Sequence, residues 1–581
     1  MKRSILLLRT ALVLLLPAPL ALALTIKPNV PPVVSGPIGD RQQYNDATAI
    51  IDLAPFFRDP DASAAVQLTT PSGVMNFTLD GEQAPITVAN FLRYLDEGRY
   101  FRFDPIANAT ASTFFHRSVP GFVIQAGGFV GTENPSSPGS AQPTAVLTFP
   151  SIQNEPFISN QRATIAMAKL GSDQNSATSQ WFINLADNSA NLDTQNGGFT
   201  VFGRVAGAGM ATADAIAALP RFNFGGSFNE LPLRDYTSPN PVRVPNLVSI
   251  PAISRISPLT YSASTNNLAA LGARISGTHL LVNALQSGAA QVTVTATDLD
   301  GVSVAQNFNV NLTAAPGRLR NISTRVNFPT GNEVLIGGFI IGAGSAKRLA
   351  VRAIGPSLGG PGGLANPLAN PTLEFRNASE ALIASNDNWG DSPDRQLLTD
   401  IGLAPTAANE SALIITVPAS AQISSYTAIV RSSGNTPGVG LVEVYDLDSA
   451  VGGSTLLNLS TRGEVGTGNN VMIGGFITGG TDPRRLIVRA LGPSLADFGV
   501  AGSLADPTLE LRNAQGMVVD SNTDWQSHPN AGEIQTAGVA PTRALESALI
   551  TTVPSGAYTA VVAGNGSQPT GVALVEIFQV Q

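Results

Sequence analysis

The chain has 581 residues, of which 43% are hydrophobic and only 13% charged, and it contains 57 glycines, 41 prolines and no cysteine. This length exceeds what one core supports, so we expect about three to five domains. Sparse charge and frequent turn formers favour mostly β structure. A net charge of −8 argues against a nucleic-acid partner, because phosphate binding needs a basic surface.

Residues 1–23 have the pattern of a secretory signal peptide. Lys2 and Arg3 precede an apolar stretch, and residues 21–23 (Ala-Leu-Ala) form a small-x-small cleavage site. An uncleaved membrane anchor is the alternative, but Arg9 and two prolines interrupt the run before the ~20 apolar residues that a span needs. We therefore predict an exported protein with no transmembrane segment after cleavage.

The next segments alternate between turn-rich and regular patterns. Residues 24–60 are rich in proline and glycine and are predicted to be a linker with a short lead-in. Alternating residues on both sides of Pro-Ser-Gly predict a β-hairpin over 66–79. Helical spacing of apolar residues predicts helices over 84–98 and 211–219. Composition predicts a second linker over 223–247.

Residues 248–314 are predicted to form a small β-sandwich, because 291–312 alternate around Asp-Leu-Asp-Gly. The segment resembles immunoglobulin- or cadherin-like modules. Asp298 and Asp300 could ligate calcium, but two carboxylates fall short of the six to eight oxygens that calcium prefers, so a turn is favoured.

The C-terminal part contains an internal repeat. Segments beginning at Asn321 and Asn458 match at an offset of 137 residues, which predicts two copies of one β-sandwich-like domain, 315–449 and 450–581. Paired residues recur in both copies: Asp387 with Trp389, Asp524 with Trp525, and Arg352 with Arg489. They indicate either a sugar- or ion-binding edge or a tryptophan packed beside an Asx-turn, and the second is favoured.

Residues 114–129 (FFHRSVPGFVIQAGGF) place four phenylalanines around one His, one Arg and one Gln. Such a composition is typical of a shallow apolar pocket with a polar edge. A core strand with two polar residues facing outward gives the same pattern, so this stretch alone leaves both interpretations open.

Further motifs resolve the ambiguity. The pattern F-H-R-x-x-P-G-F-x-x-Q-x-G-G occupies 115–128, T-I-A-M-A is 164–168, S-A-T-S-Q-W-F-I-N is 176–184, and F-x-V-F-G-R-V is 199–205. With these motifs in this order, residues 64–222 resemble a cyclophilin, a peptidyl-prolyl cis-trans isomerase, of the bacterial branch. The resemblance implies a domain over 61–222 built as an eight-stranded antiparallel β-barrel with two capping helices. The whole chain is then mainly β, with three β-sandwich-like domains after the barrel.

The resemblance also implies the site. Arg117 and Gln125 would be the catalytic residues, with Gln125 hydrogen-bonding the substrate backbone. His116 would be structural, since isomerisation needs no proton transfer. The predicted substrate-binding residues are Phe115, Phe122, Val123, Ala168, Lys169, Gln180, Phe182, Leu192 and Phe199. No cofactor is implied. No metal is expected either, because the three histidines, His116, His279 and His528, are scattered.

The implied function is a foldase acting on Xaa-Pro bonds of exported proteins, located in the bacterial periplasm or outside the cell. Proline-containing polypeptides are the expected clients, and a cell-envelope component is a candidate partner of the C-terminal modules. The alternative is an exported binding or adhesion protein that captures proline-containing segments. A hydrolase within the repeats has no motif to support it.

Overall fold

The structure is a computed structural model that describes residues 28–330, 333–360, 363–448 and 450–580. The predicted signal peptide, residues 1–23, lies outside the described residues. The chain forms two compact units. Among the described residues, the first comprises 28–33, Arg58–Thr260 and Ala296–Val304, and the second comprises the others.

The first unit is built on one eight-stranded antiparallel sheet. Its strands are β1 Ala64–Thr70, β2 Gly73–Leu79, β3 Arg117–Val119, β4 Val123–Ala126, β5 Thr164–Met167, β6 Trp181–Asn184, β7 Val201–Ala206 and β8 Ala252–Ile256. They are ordered β8-β1-β2-β7-β5-β6-β4-β3. The eighth strand therefore comes from residues beyond the predicted 61–222 domain.

Hydrogen bonds also connect the two ends of this sheet. Just before β3 and β8, the Phe115 amide donates to the Val248 carbonyl at 3.0 Å and the Ile250 amide donates to the Thr113 carbonyl at 2.7 Å. The sheet thus curls back on itself. Two longer helices accompany it, α1 Pro85–Asp96 and α3 Gly209–Ala217, with the short α2 Ser189–Leu192 between them in sequence. The predicted cyclophilin-like β fold with two capping helices is confirmed.

The barrel core follows from strand alternation and from one apolar face of α1. Buried side chains such as Leu68, Phe77 and Ile124 point to one side of the sheet, and Phe91 of α1 packs among them. Trp181 is fully buried and meets the rings of Phe77, Phe91 and Phe115 edge-on, at centroid distances of 5.5, 6.2 and 5.7 Å. These contacts hold β6 firmly against the core.

Shorter hairpins complete the first unit. They pair Phe101–Asp104 with Ala109–Ser112, Phe129–Glu133 with Ala141–Ala145, and Arg221–Phe222 with Leu231–Pro232. The segment predicted as a linker over 223–247 buries Leu231, Leu233 and Leu247 beside Phe114.

The segment 298–302 forms a turn, which was favoured over a calcium site. Oδ1 of Asp298 accepts the amides of Asp300 and Val302 at 2.9 and 2.8 Å.

Ahead of the repeats, two small sheets contain strands from both sides of the barrel sequence. One has the order Leu259–Thr265, Gly288–Asp298, Ser303–Thr313 and Arg41–Tyr44; the other has Leu271–Ser276, His279–Ala284 and Thr48–Asp52. Residues 41–52, which were expected in the linker and lead-in, therefore supply a strand to each sheet. The last strand of the first sheet pairs in parallel and that of the second antiparallel.

Each repeat contributes eight strands. The first copy supplies β9 Arg318–Phe328, β10 Leu335–Ile341, β11 Lys347–Ile354, β12 Pro371–Asn377, β13 Leu382–Asn386, β14 Ser411–Val417, β15 Ser424–Ser432 and β16 Gly438–Asp446. The second supplies β17 Leu456–Val465, β18 Met472–Gly479, β19 Arg484–Leu491, β20 Pro507–Asn513, β21 Val518–Asn522, β22 Ser547–Val553, β23 Gly556–Gly564 and β24 Gly571–Gln579. A short helix lies in each copy, α4 Arg395–Asp400 and α5 Ala531–Thr536.

The two copies exchange strand partners. The first strand of each copy pairs with the second strand of the other, β9 with β18 and β17 with β10. One buried cluster holds Phe339 and Phe375 of the first copy together with Phe476 and Leu511 of the second. The repeats therefore share one core and complete each other's sheets.

Candidate active site

The strand register lines up one row of side chains across the outer face of the barrel sheet. Arg117 lies opposite Gln125, Gln125 opposite Phe182, Phe182 opposite Ala166, and Ala166 opposite Val201. Directly paired residues share a face, and their neighbours along each strand point the other way, into the core. The guanidinium, the amide and the phenyl ring thus emerge side by side.

Around Phe182, apolar side chains form a cluster separate from the barrel core. The buried members are Val123, Ile158, Ala166, Phe182, Leu192 and Val201, and the partly exposed members are Phe122, Ala168 and Phe199. The rings of Phe182 and Phe199 meet edge-on at 5.8 Å. The structure therefore brings together six of the residues predicted to bind substrate: Phe122, Val123, Ala168, Phe182, Leu192 and Phe199.

Phe115, also predicted to contact substrate, lies elsewhere. Its side chain is fully buried in the barrel core, where it packs on Trp181. It lies behind the strands that form the pocket and does not line the pocket.

Arg117 begins β3 and is half-buried. Within the part of the chain that the structure describes, its guanidinium has no hydrogen bond and no ion pair to a carboxylate. A guanidinium always carries its charge and presents five N–H donors. Its donors are therefore available to a bound molecule beside the apolar cluster.

Gln125 is held in place by Gln180. Its Nε2 donates to Oε1 of Gln180 at 2.7 Å, which leaves Oε1 of Gln125 as an acceptor. Gln180 also accepts the amide of Ala168 on its backbone carbonyl at 2.9 Å. The two glutamines therefore differ in position. Gln125 faces outward, and Gln180 holds the amide of Gln125 in place.

His116 is buried beside this row and cannot supply a proton near neutral pH. Burial and the nearby charge of Arg117 lower the pKa of His116 to about 4. Hydrogen bonds with Gln180 and the Phe114 backbone raise the pKa, but by less. Its ring packs edge-on against Phe129 at 5.1 Å. These contacts agree with the structural role expected for His116.

Lys169 is engaged within the protein. Its Nζ donates to the backbone carbonyls of Asn196 and Gly198 and lies 4.9 Å from the centroid of the Phe199 ring. Burial lowers its pKa. Lys169 therefore stabilises the loop below Phe199. The sequence predicted substrate binding for Lys169 and did not predict this contact with the loop.

A network of buried amides behind the pocket escaped the sequence analysis. Asn184 Nδ2 donates to Asn160 Oδ1 at 3.2 Å and to Thr164 Oγ1 at 2.8 Å, and Asn184 Oδ1 accepts from Asn188 Nδ2 at 2.7 Å. Asn188 also donates to the Phe122 carbonyl at 2.9 Å. The network fixes the pocket wall, and the only sequence signal for it is Asn184 at the end of the 176–184 motif.

No cluster of three or more His, Cys, Asp or Glu side chains within the described ranges could hold a metal ion. No helix among the described residues is long and apolar enough to cross a membrane.

Comparisons with known proteins assign this curled antiparallel sheet to an enzyme family. Residues 65–236 match the family described as cyclophilin type peptidyl-prolyl cis-trans isomerase/CLD. Over 167 residues the chain is 39% identical to peptidyl-prolyl cis-trans isomerase A of Dickeya dadantii, covering 28% of this chain and 76% of that protein. It is 36% identical over 167 residues to a peptidyl-prolyl cis-trans isomerase of Acinetobacter baylyi, covering 28% and 77%.

A crystal structure of a cyclophilin type isomerase from Cryptosporidium parvum is 22% identical, with a TM-score of 0.23, and covers 33% of this chain and 98% of that chain. The bacterial relatives and the family match establish that this chain belongs to the cyclophilin-type peptidyl-prolyl cis-trans isomerases. It is an enzyme of that class, with its isomerase domain in the first unit.

Proposed function

We propose that Arg117 lowers the barrier to rotation about an Xaa-Pro bond by donating to the prolyl nitrogen. Amide resonance sets that barrier at about 18–20 kcal/mol. Twisting the bond breaks the resonance and returns a lone pair to the nitrogen. A donor aimed at this lone pair binds the twisted state more strongly than either planar state, so it accelerates the reaction.

One observation carries this proposal: a half-buried guanidinium without an internal partner in the same cross-strand row as Gln125 and Phe182. An arginine kept only for stability would be expected to have a carboxylate or carbonyl partner at this burial. Here the available partner is a ligand resting on the apolar cluster.

The rest of the site binds the substrate. The proline ring packs against Phe122, Phe182 and Leu192, where it loses water without losing hydrogen bonds. Gln125 accepts or donates a backbone hydrogen bond of the substrate, oriented by Gln180. Neutral His116 takes no part in proton transfer, because rotation about the bond requires none.

The clients of this enzyme are proline-containing segments of exported proteins. This part of the proposal rests on the signal-peptide pattern of residues 1–23. Fusion of residues 1–40 to a reporter that is active only after export tests it: reporter activity is expected, and a reporter retained inside the cell would contradict it.

The mechanism is tested with Arg117→Ala and Arg117→Lys in the mature chain. We expect kcat/KM for a short Xaa-Pro peptide to fall about 10²-fold or more in both variants, since an ammonium lacks the planar fork of the guanidinium. Arg102→Ala removes an exposed arginine of the same unit and serves as the matched control, with rates near those of the parent. Melting curves like the parent's are required for each variant. A well-folded Arg117→Ala enzyme with parental rates would refute the mechanism.

A further inference from the structure

The second unit contains a cavity of about 470 Å³ that the isomerase reaction does not use. Its floor is the outer face of the sheet formed by strands of both repeats. One cross-strand row runs through Thr427, Gly338, Ser460, Glu576 and Arg489, each opposite the next. The volume lies within the range of small-ligand sites.

A second row lies beside the first, with Ile336 opposite Arg462, Arg462 opposite Leu574, and Leu574 opposite Leu491. Gly338 makes the recess between the rows, because a Cβ added there would lie 2.7 Å from Oγ of Ser460. The floor therefore offers apolar surface, hydroxyl groups and two arginines around a central depression.

The two arginines of this floor differ in their contacts. Arg489 forms an ion pair with Glu576 and donates to the Val539 carbonyl, so its charge is neutralised. Arg462 is half-buried, and among the described residues its guanidinium has neither a hydrogen bond nor an ion pair. The cavity thus contains one unneutralised cation, whose planar fork suits a carboxylate.

The side of the cavity is formed by the Pro493–Phe498 turn and the residues after it, with Leu495, Phe498 and Val500 lining the space. Phe498 is 83% exposed, the largest exposed fraction among the large apolar residues in the described ranges. An aromatic ring left in water beside a cavity is suited to pack against the C–H face of a ring-shaped ligand.

The matching strands of the repeats, β23, β18, β9, β16 and β11, carry the same rows. Thr559, Gly475, Ser323, Glu443 and Arg352 follow one another in register. Arg325 takes the position of Arg462, between Ile473 and Leu441. Burial alone lowers the pKa of Arg325, with no carboxylate acting against it.

The two copies have diverged just beyond these arginines, with Val-Asn-Phe at 326–328 and Gly-Glu-Val at 463–465. Ser-Thr-Arg remains in both. Both copies thus have a half-buried arginine whose donors have no partner among the described residues, and such donors are available to a ligand. In the sequence, Pro361 of the first copy stands at the position of Phe498 in the second copy, so the aromatic residue is not repeated at this position.

We propose that the cavity at Arg462 binds an acidic saccharide, with a uronic-acid carboxylate on Arg462 and a sugar ring against Phe498. The hydroxyls of Thr427 and Ser460 face the ring hydroxyls. Ser460 Oγ donates to the Gly338 carbonyl at 3.5 Å and can still accept a hydrogen bond. A fully apolar acid would make no hydrogen bond to either hydroxyl, and a neutral sugar would leave the guanidinium unpaired. The combination of cation, hydroxyls and exposed aromatic ring favours a sugar that carries a carboxylate.

The test is calorimetric titration of the mature chain with digalacturonate, its methyl ester and N-acetylphenylalanine. Digalacturonate is expected to bind. Its methyl ester should bind more weakly by at least about tenfold, because it lacks the charge. Arg462→Met, Arg462→Lys and Phe498→Ala should each weaken binding of the acid about tenfold. Arg325→Met, which removes the matching arginine of the copy that has Pro361 in place of Phe498, should leave the tight binding within about twofold of the parent.

Several results would overturn the proposal. If digalacturonate does not bind, or if the ester binds as tightly as the acid, Arg462 does not recognise a carboxylate and the proposal is wrong. If Arg462→Met and Arg325→Met weaken digalacturonate binding equally, the weaker binding is a general effect of removing positive charge and is not specific to the cavity. Stronger binding of N-acetylphenylalanine assigns the site to a peptide-like carboxylate. Isomerase activity of the same samples, measured in parallel, should be unchanged in every variant, which separates this site from the proposed mechanism.

Discussion

The burial of His116 has a measurable consequence for stability. The side chain is 2% exposed, and its pKa lies at about 4 because burial and the charge of Arg117 disfavour the protonated form. In the unfolded chain it returns to the ordinary value of 6.5. Between these values the unfolded chain binds a proton that the folded chain does not, so acid favours unfolding.

The magnitude follows from the two pKa values. The stabilising contribution of neutral His116 is complete above pH 6.5 and is lost as the pH falls from 6.5 toward 4. A pKa difference from 6.5 to about 4 corresponds to about 3 kcal/mol in full. Between pH 7 and pH 4.5, about 2 kcal/mol of the free energy of unfolding should disappear because of this residue alone.

Hydrogen exchange of peptides covering residues 114–126, read by mass spectrometry at pH 7 and 4.5, measures the local free energy of opening after correction for the intrinsic exchange rates. In His116→Asn, the loss of that free energy between the two pH values should be smaller than in the parent by about 2 kcal/mol. Other acid-sensitive groups, such as Asp59, act equally in both proteins. His279→Asn is the control. Burial lowers the pKa of His279 too, but this residue lies in the second unit, so the peptides of residues 114–126 should keep the parental dependence. An equal pH dependence in His116→Asn and the parent would refute the reasoning.

Three further outcomes are expected. Phe182→Ala should raise KM for an Xaa-Pro peptide about tenfold while changing kcat less, because it removes a buried wall of the pocket and leaves Arg117 in place; steady-state kinetics would contradict this if kcat alone fell. Asn184→Ala should lower the free energy of unfolding by about 2 kcal/mol, since it leaves buried amides unpartnered, whereas the exposed Asn191→Ala should melt like the parent. EDTA should leave isomerase activity unchanged, and a loss restored by one particular metal would reveal a missed site.

The row of Arg117, Gln125 and Phe182 could be predicted from the sequence for a physical reason. These residues belong to short motifs on strands β3, β4 and β6, which follow one another in the sheet with β4 in the middle. Once the family resemblance places those motifs on adjacent strands, alternation decides which side chains share the outer face. Phe115 and Lys169 were harder to assign, because the same motifs also contain residues that support the site from behind or below.

Pairing between distant segments could not be predicted from local patterns. Strand β8 joins the barrel through pairing with β1, about 190 residues earlier in the chain, and residues 41–52 join sheets that lie far along the sequence. The periodicity of a strand shows that it has a buried face but does not show which strand pairs with it. For the same reason, the repeat was evident from the sequence, whereas the exchange of partners between its copies was not.

The most direct test of the central claim measures binding and isomerisation on the same peptide. Two-dimensional NMR exchange spectra of a labelled Xaa-Pro peptide give both the dissociation constant and the rate of interconversion on the enzyme. For Arg117→Ala the account predicts a dissociation constant within about threefold of the parent and an exchange rate on the enzyme lower by about 10²-fold. A variant that binds about 10²-fold more weakly yet exchanges bound peptide at the parental rate would contradict it, because Arg117 would then hold the substrate and not the twisted state.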